Sequence, residues 1–367
     1  MATASSPDRL TREQRESLLY RLAQDYRDLN GTKVEVWTHT PSPIEFARIV
    51  NVGRPVLFRN TPSTNDLPAL TRWTDDHLVT AMRDRKVSVA VTPNGRADAL
   101  HTLPNGTRYF VEPHTEHMTM EELFQAIKRS EQDPSNEVYY LQSQNGNMYS
   151  AVDFESGPDH ASNSELCPEL LADVPREIPW ASEALGRTPD AVNVWIGGSR
   201  SVTSVHSGAV LFLSYPSVSY LRLADPYENI YSVIRGSKHF TLLPPTEGYT
   251  LHEQRVPHAK YTRPAPFAPL EVEPIADSTV LWAEVDPTLS SISDTEIGAP
   301  LRVSVKAGDA LYLPAGWWHH VAQSGDRQNG VCIAVNWWYD VEMRGMTWTW
   351  MSFLRRMAAP DGEEDEA

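Results

Sequence analysis

Apolar positions change their rhythm along the chain. Near the start Leu18, Leu19, Leu22 and Tyr26 recur at the spacing of one helix face. Thr11 and Gln14 precede them, three apart, as in a capping box. Residues 55–60 (PVLFRN) and 86–95 (KVSVAVTPNG) then read as strands, the second closing in an Asn94-Gly95 turn. Thr119 and Glu122 are placed to cap a further helix over 120–130. From EVYYLQSQ (137–144) onward, short β-rich runs alternate with Pro- and Gly-containing connections. They include AVNVWIG, NIYSVIRG, KHFTLLP, LRVSVKAGDALYLP and CIAVNWWYD. No fixed-period repeat is present. Many short strands without intervening helices predict a sandwich or barrel. The expected organisation is helical and β elements over 1–135, a β core over 136–345, a helix over 346–358 and an acidic tail over 359–367. The apolar side of that last helix could pack on the body or on a second copy, which would make a homodimer.

Composition narrows the function classes. The chain has 367 residues, ample for a core, and a net charge of −16, with five acidic residues in the tail DGEEDEA. That charge disfavours direct binding to nucleic-acid backbones and is compatible with a basic protein partner. No run of apolar residues is long enough for a transmembrane helix, and the N-terminus lacks the basic-then-apolar pattern of a secretory signal. Cys167 and Cys332 are the two cysteines. They build no disulfide scaffold and fit a reducing compartment, so a cytoplasmic or nuclear location is expected.

Candidate chemistry lies in the β-rich half. A mononuclear iron site of the facial type needs two imidazoles and one carboxylate, leaving the opposite face open. His206, Asp225 and, about a hundred residues on, His319 in LYLPAGWWHHV supply those donors. Trp317 and Trp318, just before His319, are bulky enough to shield a metal from water. His114, His117, His252 and His258 read as surface or core histidines. Lys238 falls between apolar runs, so an inward ammonium there needs an anion. A dicarboxylate would provide it, with hydroxyls of Thr203 and Tyr140 as further donors.

Together these residues carry a resemblance. The chain resembles the JmjC-domain 2-oxoglutarate oxygenases, and within them the small lysyl-hydroxylase branch, over about residues 40–350. The segments that carry it are VSVAVTPNGRADA, IPWASEALGRTPDAVNVWIG, TSVH, DPYENIYSVIRGSKHFTLLPP, AGDALYLPAGWWHHV and CIAVNWWYD. The resemblance implies a double-stranded β-helix of the jelly-roll, cupin-like kind, mainly β with flanking helices. It also implies Fe(II), 2-oxoglutarate and O2, and hydroxylation of a protein side chain, a lysine of a GTP-binding protein in this branch. By position, His206, Asp225 and His319 take the iron-ligand places, and Lys238, Thr203 and Tyr140 hold the distal carboxylate. Asn229 and Asn336 take polar places beside metal and cosubstrate; His320 and Trp318 fall in the surrounding shell.

The chain departs from that pattern between two of the ligands. His206 and Asp225 are separated by the segment 207–224, SGAVLFLSYPSVSYLRLA, where the family has a single residue. Removing the surplus restores His-x-Asp, whose i and i+2 side chains share one strand face. The segment contains no acidic residue, and its coding length is that of a short intron kept in frame. A translated intron accounts for this better than an evolved loop or a changed ligand. The alternative to an enzyme is therefore a JmjC-like interaction module with an impaired metal site.

Overall fold

The computed structural model describes residues 10–61, 66–142, 146–150, 164–207, 227–289, 297–341 and 345–359. Its centre is a pair of facing antiparallel layers. In one, strands Ala310–Leu313, Tyr227–Arg235, Cys332–Asp340 and Ala191–Gly197 lie side by side. In the other, the order is Leu301–Lys306, Ser237–Leu243, Trp318–Ser324 and Val202–His206. This is the expected jelly-roll arrangement. The first layer is extended by Val56–Phe58 at one edge and by Val138–Leu141 and Val87–Thr92 at the other. A third sheet, built from Ala99–Thr102, Arg108–Glu112, Glu253–Thr262 and Glu271–Ala283, flanks the second layer.

The strand Cys332–Asp340 shows why its sequence is apolar throughout. Successive side chains leave a strand on opposite faces, and here both faces are covered. Ile333, Val335, Trp337 and Tyr339 enter a core beneath the helices. Ala334 and Trp338 enter the space between the two layers, with Tyr231, Phe240 and Val321. A strand buried on both sides reads as a continuous apolar run rather than an alternating one. Fully burying each large side chain contributes roughly 1.5–3 kcal/mol, so this strand anchors both cores.

Helices close the outer face. Arg12–Asn30 begins at the Thr11–Gln14 capping box, and Met120–Gln132 at the Thr119–Glu122 box. A third box, Ser42 with Glu45, opens Pro43–Val52, whose Phe46 ring meets Trp180 at 4.8 Å. The final helix, Met346–Ala358, turns Met351 and Leu354 inward and leaves Trp350 and Phe353 exposed. Met351 sits so close to Gly316 that a Cβ there would come within 2.1 Å of its sulfur. The helix thus presses on the turn that leads into His319. A buried ion pair, Arg27 with Glu247 at 2.6 Å, ties the first helix to the body. Both cysteines are buried and free, and no described helix is long and apolar enough to cross a membrane.

Candidate active site

The two expected histidine ligands meet. His206 ends its strand directly opposite His319 on the neighbouring one, and their ring centroids lie 4.3 Å apart. Each ring is fixed from behind. Nδ1 of His206 lies 2.8 Å from the Ser204 carbonyl, and Nδ1 of His319 lies 3.0 Å from the Trp317 carbonyl. A carbonyl only accepts, so both Nδ1 atoms carry the proton and both Nε2 atoms keep the lone pair. Burial keeps the imidazoles neutral. It depresses His206, and it brings His319 down to about 3 with help from the neighbouring His206. Two neutral, oriented imidazoles are the donor chemistry a divalent metal requires. Among the described residues no third His, Cys, Asp or Glu joins them. Asp225 and the segment 208–224 lie outside the described residues.

Thr203 shares this face for a reason the sequence hides. Residues three apart on a regular strand point to opposite sides. Here a bulge between Thr203 and His206 shifts the register, so Thr203 pairs with Val321 and His206 with His319. Paired residues share a face, and Val321 and His319 are two apart. The bulge therefore brings hydroxyl and imidazole to the same interior wall.

Lys238 lies in that interior, only 1 % exposed. Its Nζ donates to the Tyr140 hydroxyl at 2.9 Å and to the Gln323 side-chain oxygen, which faces it in register. The ammonium also lies 5.0 Å from the Tyr140 ring centre and 5.9 Å from that of Tyr231. All these partners are neutral. A buried ammonium with no carboxylate partner among the described residues is costly by itself, and an acidic ligand would offset that cost.

Asn336 links the strands of the first layer. Its oxygen accepts from Trp195 Nε1 at 3.0 Å and from Asn193 at 3.3 Å, and its amide donates to Asn229 at 3.2 Å. All three asparagines are buried, so Asn229 and Asn336 sit in one interior network beside the pocket. His320 does not orient His319. As its chain neighbour it points to the other strand face, where burial depresses it beside Asp286 and Arg96. Among the described residues, neither of its buried ring nitrogens has a hydrogen-bond partner. Trp318 also faces outward, against Val205, Leu243 and Leu251. The ring on the interior side is Trp317, its Nε1 donating to the Gly53 carbonyl.

Comparison with known proteins places the architecture. The cupin-like domain family matches residues 41–345. The chain is 36% identical over 312 residues to the human bifunctional peptidase and (3S)-lysyl hydroxylase JMJD7, covering 82% of each protein. The chain belongs to the cupin-like JmjC family. It is also 34% identical to Arabidopsis thaliana lysine-specific demethylase JMJ32, over 92% of this chain and 90% of that protein. JmjC domain-containing protein E of Dictyostelium discoideum is 29% identical over 93% of both.

Within this JmjC pocket, two features escaped sequence reasoning. Gln323 is a lone polar residue four past His319, and even-numbered spacing along one strand was the available clue. Gly197 is the other. A Cβ there would come within 2.7 Å of both Gln323 and Tyr140 and 2.8 Å of Ser201, so only glycine leaves room for the pair that holds Lys238.

Proposed function

We propose that this JmjC protein is an Fe(II)- and 2-oxoglutarate-dependent protein hydroxylase acting on a lysine side chain, in a GTP-binding protein. The observation that carries the reading is Lys238, a fully buried ammonium among neutral acceptors, facing the same interior as two neutral imidazoles. Lys238, Tyr140 and Thr203 would seat the distal carboxylate of 2-oxoglutarate. His206 and His319 would hold the metal through Nε2, with Asp225 as the third donor. When bound, iron with 2-oxoglutarate and O2 supplies the oxidising power to place one oxygen atom on an unactivated carbon, releasing succinate and CO2. The chain's own work is orientation. The Ser204 and Trp317 carbonyls hold the two imidazole protons away from the metal side. The aromatic lining of Trp195, Tyr231, Phe240 and Trp338 excludes water. The human relative's name includes lysyl hydroxylase, which favours oxygen insertion on the lysine chain. The plant relative's name makes removal of a lysine methyl group the competing outcome.

The test is turnover by the full chain with Fe(II), 2-oxoglutarate and a panel of small GTP-binding proteins, read by succinate release and peptide mass. Gain of one oxygen on a lysine is the expected result. Succinate release with loss of a methyl group would replace hydroxylation by demethylation. A second reading rests on the segment 207–224 between His206 and Asp225. In it the metal end is impaired and the fold serves as an interaction module; failure to bind Fe(II) would select it.

A further inference from the structure

Gln323 is held beside Lys238 by contacts that reach well beyond the pair. The strands Trp318–Ser324 and Ser237–Leu243 run in unbroken register, so Gln323 lies opposite Lys238 and Val321 opposite Phe240. Alternate residues of a strand share a face, which groups Gln323 with Val321 and His319. Val321 and Phe240 belong to the apolar cluster between the two layers, so this face is the interior one. Gln323 itself is only 4 % exposed. It is an inward amide on the same wall as the ammonium and the imidazole.

That amide has one orientation that works. Its Nε2 donates to the Gly198 carbonyl at 2.6 Å, and its Oε1 accepts from Lys238 Nζ. Turned over, it would set N–H groups against the ammonium and an oxygen against a carbonyl, both repulsive. The Gly198 carbonyl is held in turn. It also accepts from Ser201 N at 3.2 Å. Between them, Ser199 Oγ and Arg200 N donate to Glu131 of the helix Met120–Gln132, at 2.6 and 3.3 Å. Two successive glycines leave room for this. A Cβ on Gly198 would come within 2.4 Å of Glu131 Oε1, and one on Gly197 within 2.7 Å of Gln323 Nε2. Helix, turn and amide form one line of contacts that ends on Lys238.

The consequence for Lys238 is orientation without neutralisation. An ammonium has three N–H groups; Gln323 takes one and the Tyr140 hydroxyl, at 2.9 Å, takes another. Among the described residues one is left for a ligand. Two fixed bonds fix the direction of the third, so an arriving carboxylate oxygen meets a donor that is already ordered. Both partners are neutral and leave the positive charge uncancelled. A glutamate at 323 would have nearly the same shape, yet its carboxylate would occupy the ammonium from within the chain.

We propose that Gln323 is the positioning residue of the anion seat: it aligns the Lys238 ammonium and, being neutral, leaves that charge for the distal carboxylate of 2-oxoglutarate. This deepens the hydroxylase reading and rests on it. The test is calorimetric titration of the full chain with 2-oxoglutarate in the absence of metal, with thermal melting to show that each variant is folded. Gln323→Glu should weaken binding at least a hundredfold in a folded chain. Gln323→Met, which keeps the length and removes both hydrogen bonds, should weaken it at least tenfold. The same Gln323→Met change made in Lys238→Met should cost less than twofold, because Gln323 acts through the ammonium. A Gln323 that only ties strands together would give equal losses with and without Lys238. Equal losses, or unchanged affinity in Gln323→Glu, overturn the assignment; the two Gln323→Met measurements decide it alone if Gln323→Glu does not fold. Failure of the hydroxylase reading would look different, because 2-oxoglutarate itself would not bind the unaltered chain.

Discussion

The two ends of the pocket are built in different ways. At the end proposed for the cosubstrate, Lys238, Gln323 and Thr203 come from neighbouring strands of one layer and Tyr140 from the other, and the Lys238, Gln323 and Tyr140 side chains already hold one another. At the metal end, His206 and His319 are oriented by backbone carbonyls and face each other. The expected third donor, Asp225, is separated from His206 by the whole of 207–224. An anion seat made of contacts between strands and layers uses no residue of 207–224. A metal site that needs His-x-Asp on one strand is split by that segment. The insert should therefore weaken iron binding and spare the carboxylate seat.

The largest effect is expected at the metal end. His319→Ala should reduce iron-dependent turnover to background, since a two-donor remnant holds metal poorly. His320→Leu should keep turnover and not lower stability, because it removes two buried ring nitrogens that have no hydrogen-bond partner among the described residues. Succinate release and thermal melting of both variants check this, and the reverse order would exchange the two histidines.

Next in size is the anion seat. Lys238→Met should lower 2-oxoglutarate affinity by about 1.5–3 kcal/mol, the scale of a charge-assisted hydrogen bond. The ligand-free chain should lose little stability, because an apolar side chain replaces a buried ammonium without an anion. A stability loss with unchanged affinity would make Lys238 structural.

The smallest effect concerns Glu228, which belongs to the packing behind the pocket. Tyr312 donates to its carboxylate at 2.6 Å, yet burial dominates and raises it to about 7. The folded value exceeds the unfolded one, so between about pH 4.5 and 7 the folded chain holds a proton that the unfolded chain releases. Stability from this group is thus present at low pH and is lost as pH rises through 7. Glu228→Gln removes that dependence, and its melting temperature should gain on the unaltered chain from pH 5 to 8. Parallel pH curves would contradict the assignment.

How much of this was legible in the sequence depended on the kind of signal each residue gives. Solid apolar runs such as Ala191–Gly197 and Cys332–Asp340 announce buried strands, because both faces need apolar side chains. Lys238 stood out as a charge inside such a run. The hairpin Glu253–Thr262 with Glu271–Ala283 gave no such signal. It contains Pro257 and Pro274, and its second strand is largely exposed, so it carries neither period nor apolarity. The bulge that aligns Thr203 with His206 is invisible to a count of two, and the outward turn of His320 followed only once His319 was placed inward. Asp98 reads as an ordinary turn residue until the fold brings it within hydrogen-bond reach of Gln142.

The unequal dependence of the two ends on 207–224 can be measured by shortening that segment to a single residue, which leaves His-x-Asp. Closing a segment of the present length costs on the order of 2–3 kcal/mol more than closing one residue, so the deletion should tighten Fe(II) binding by roughly one to two orders of magnitude. Calorimetric titration of both chains with Fe(II), and with 2-oxoglutarate in the absence of metal, separates the two ends. The predicted result is a large gain in Fe(II) affinity, with 2-oxoglutarate affinity unchanged within about twofold. Equal Fe(II) affinity in the two chains would contradict the contrast and would make 207–224 a tolerated part of a working metal site.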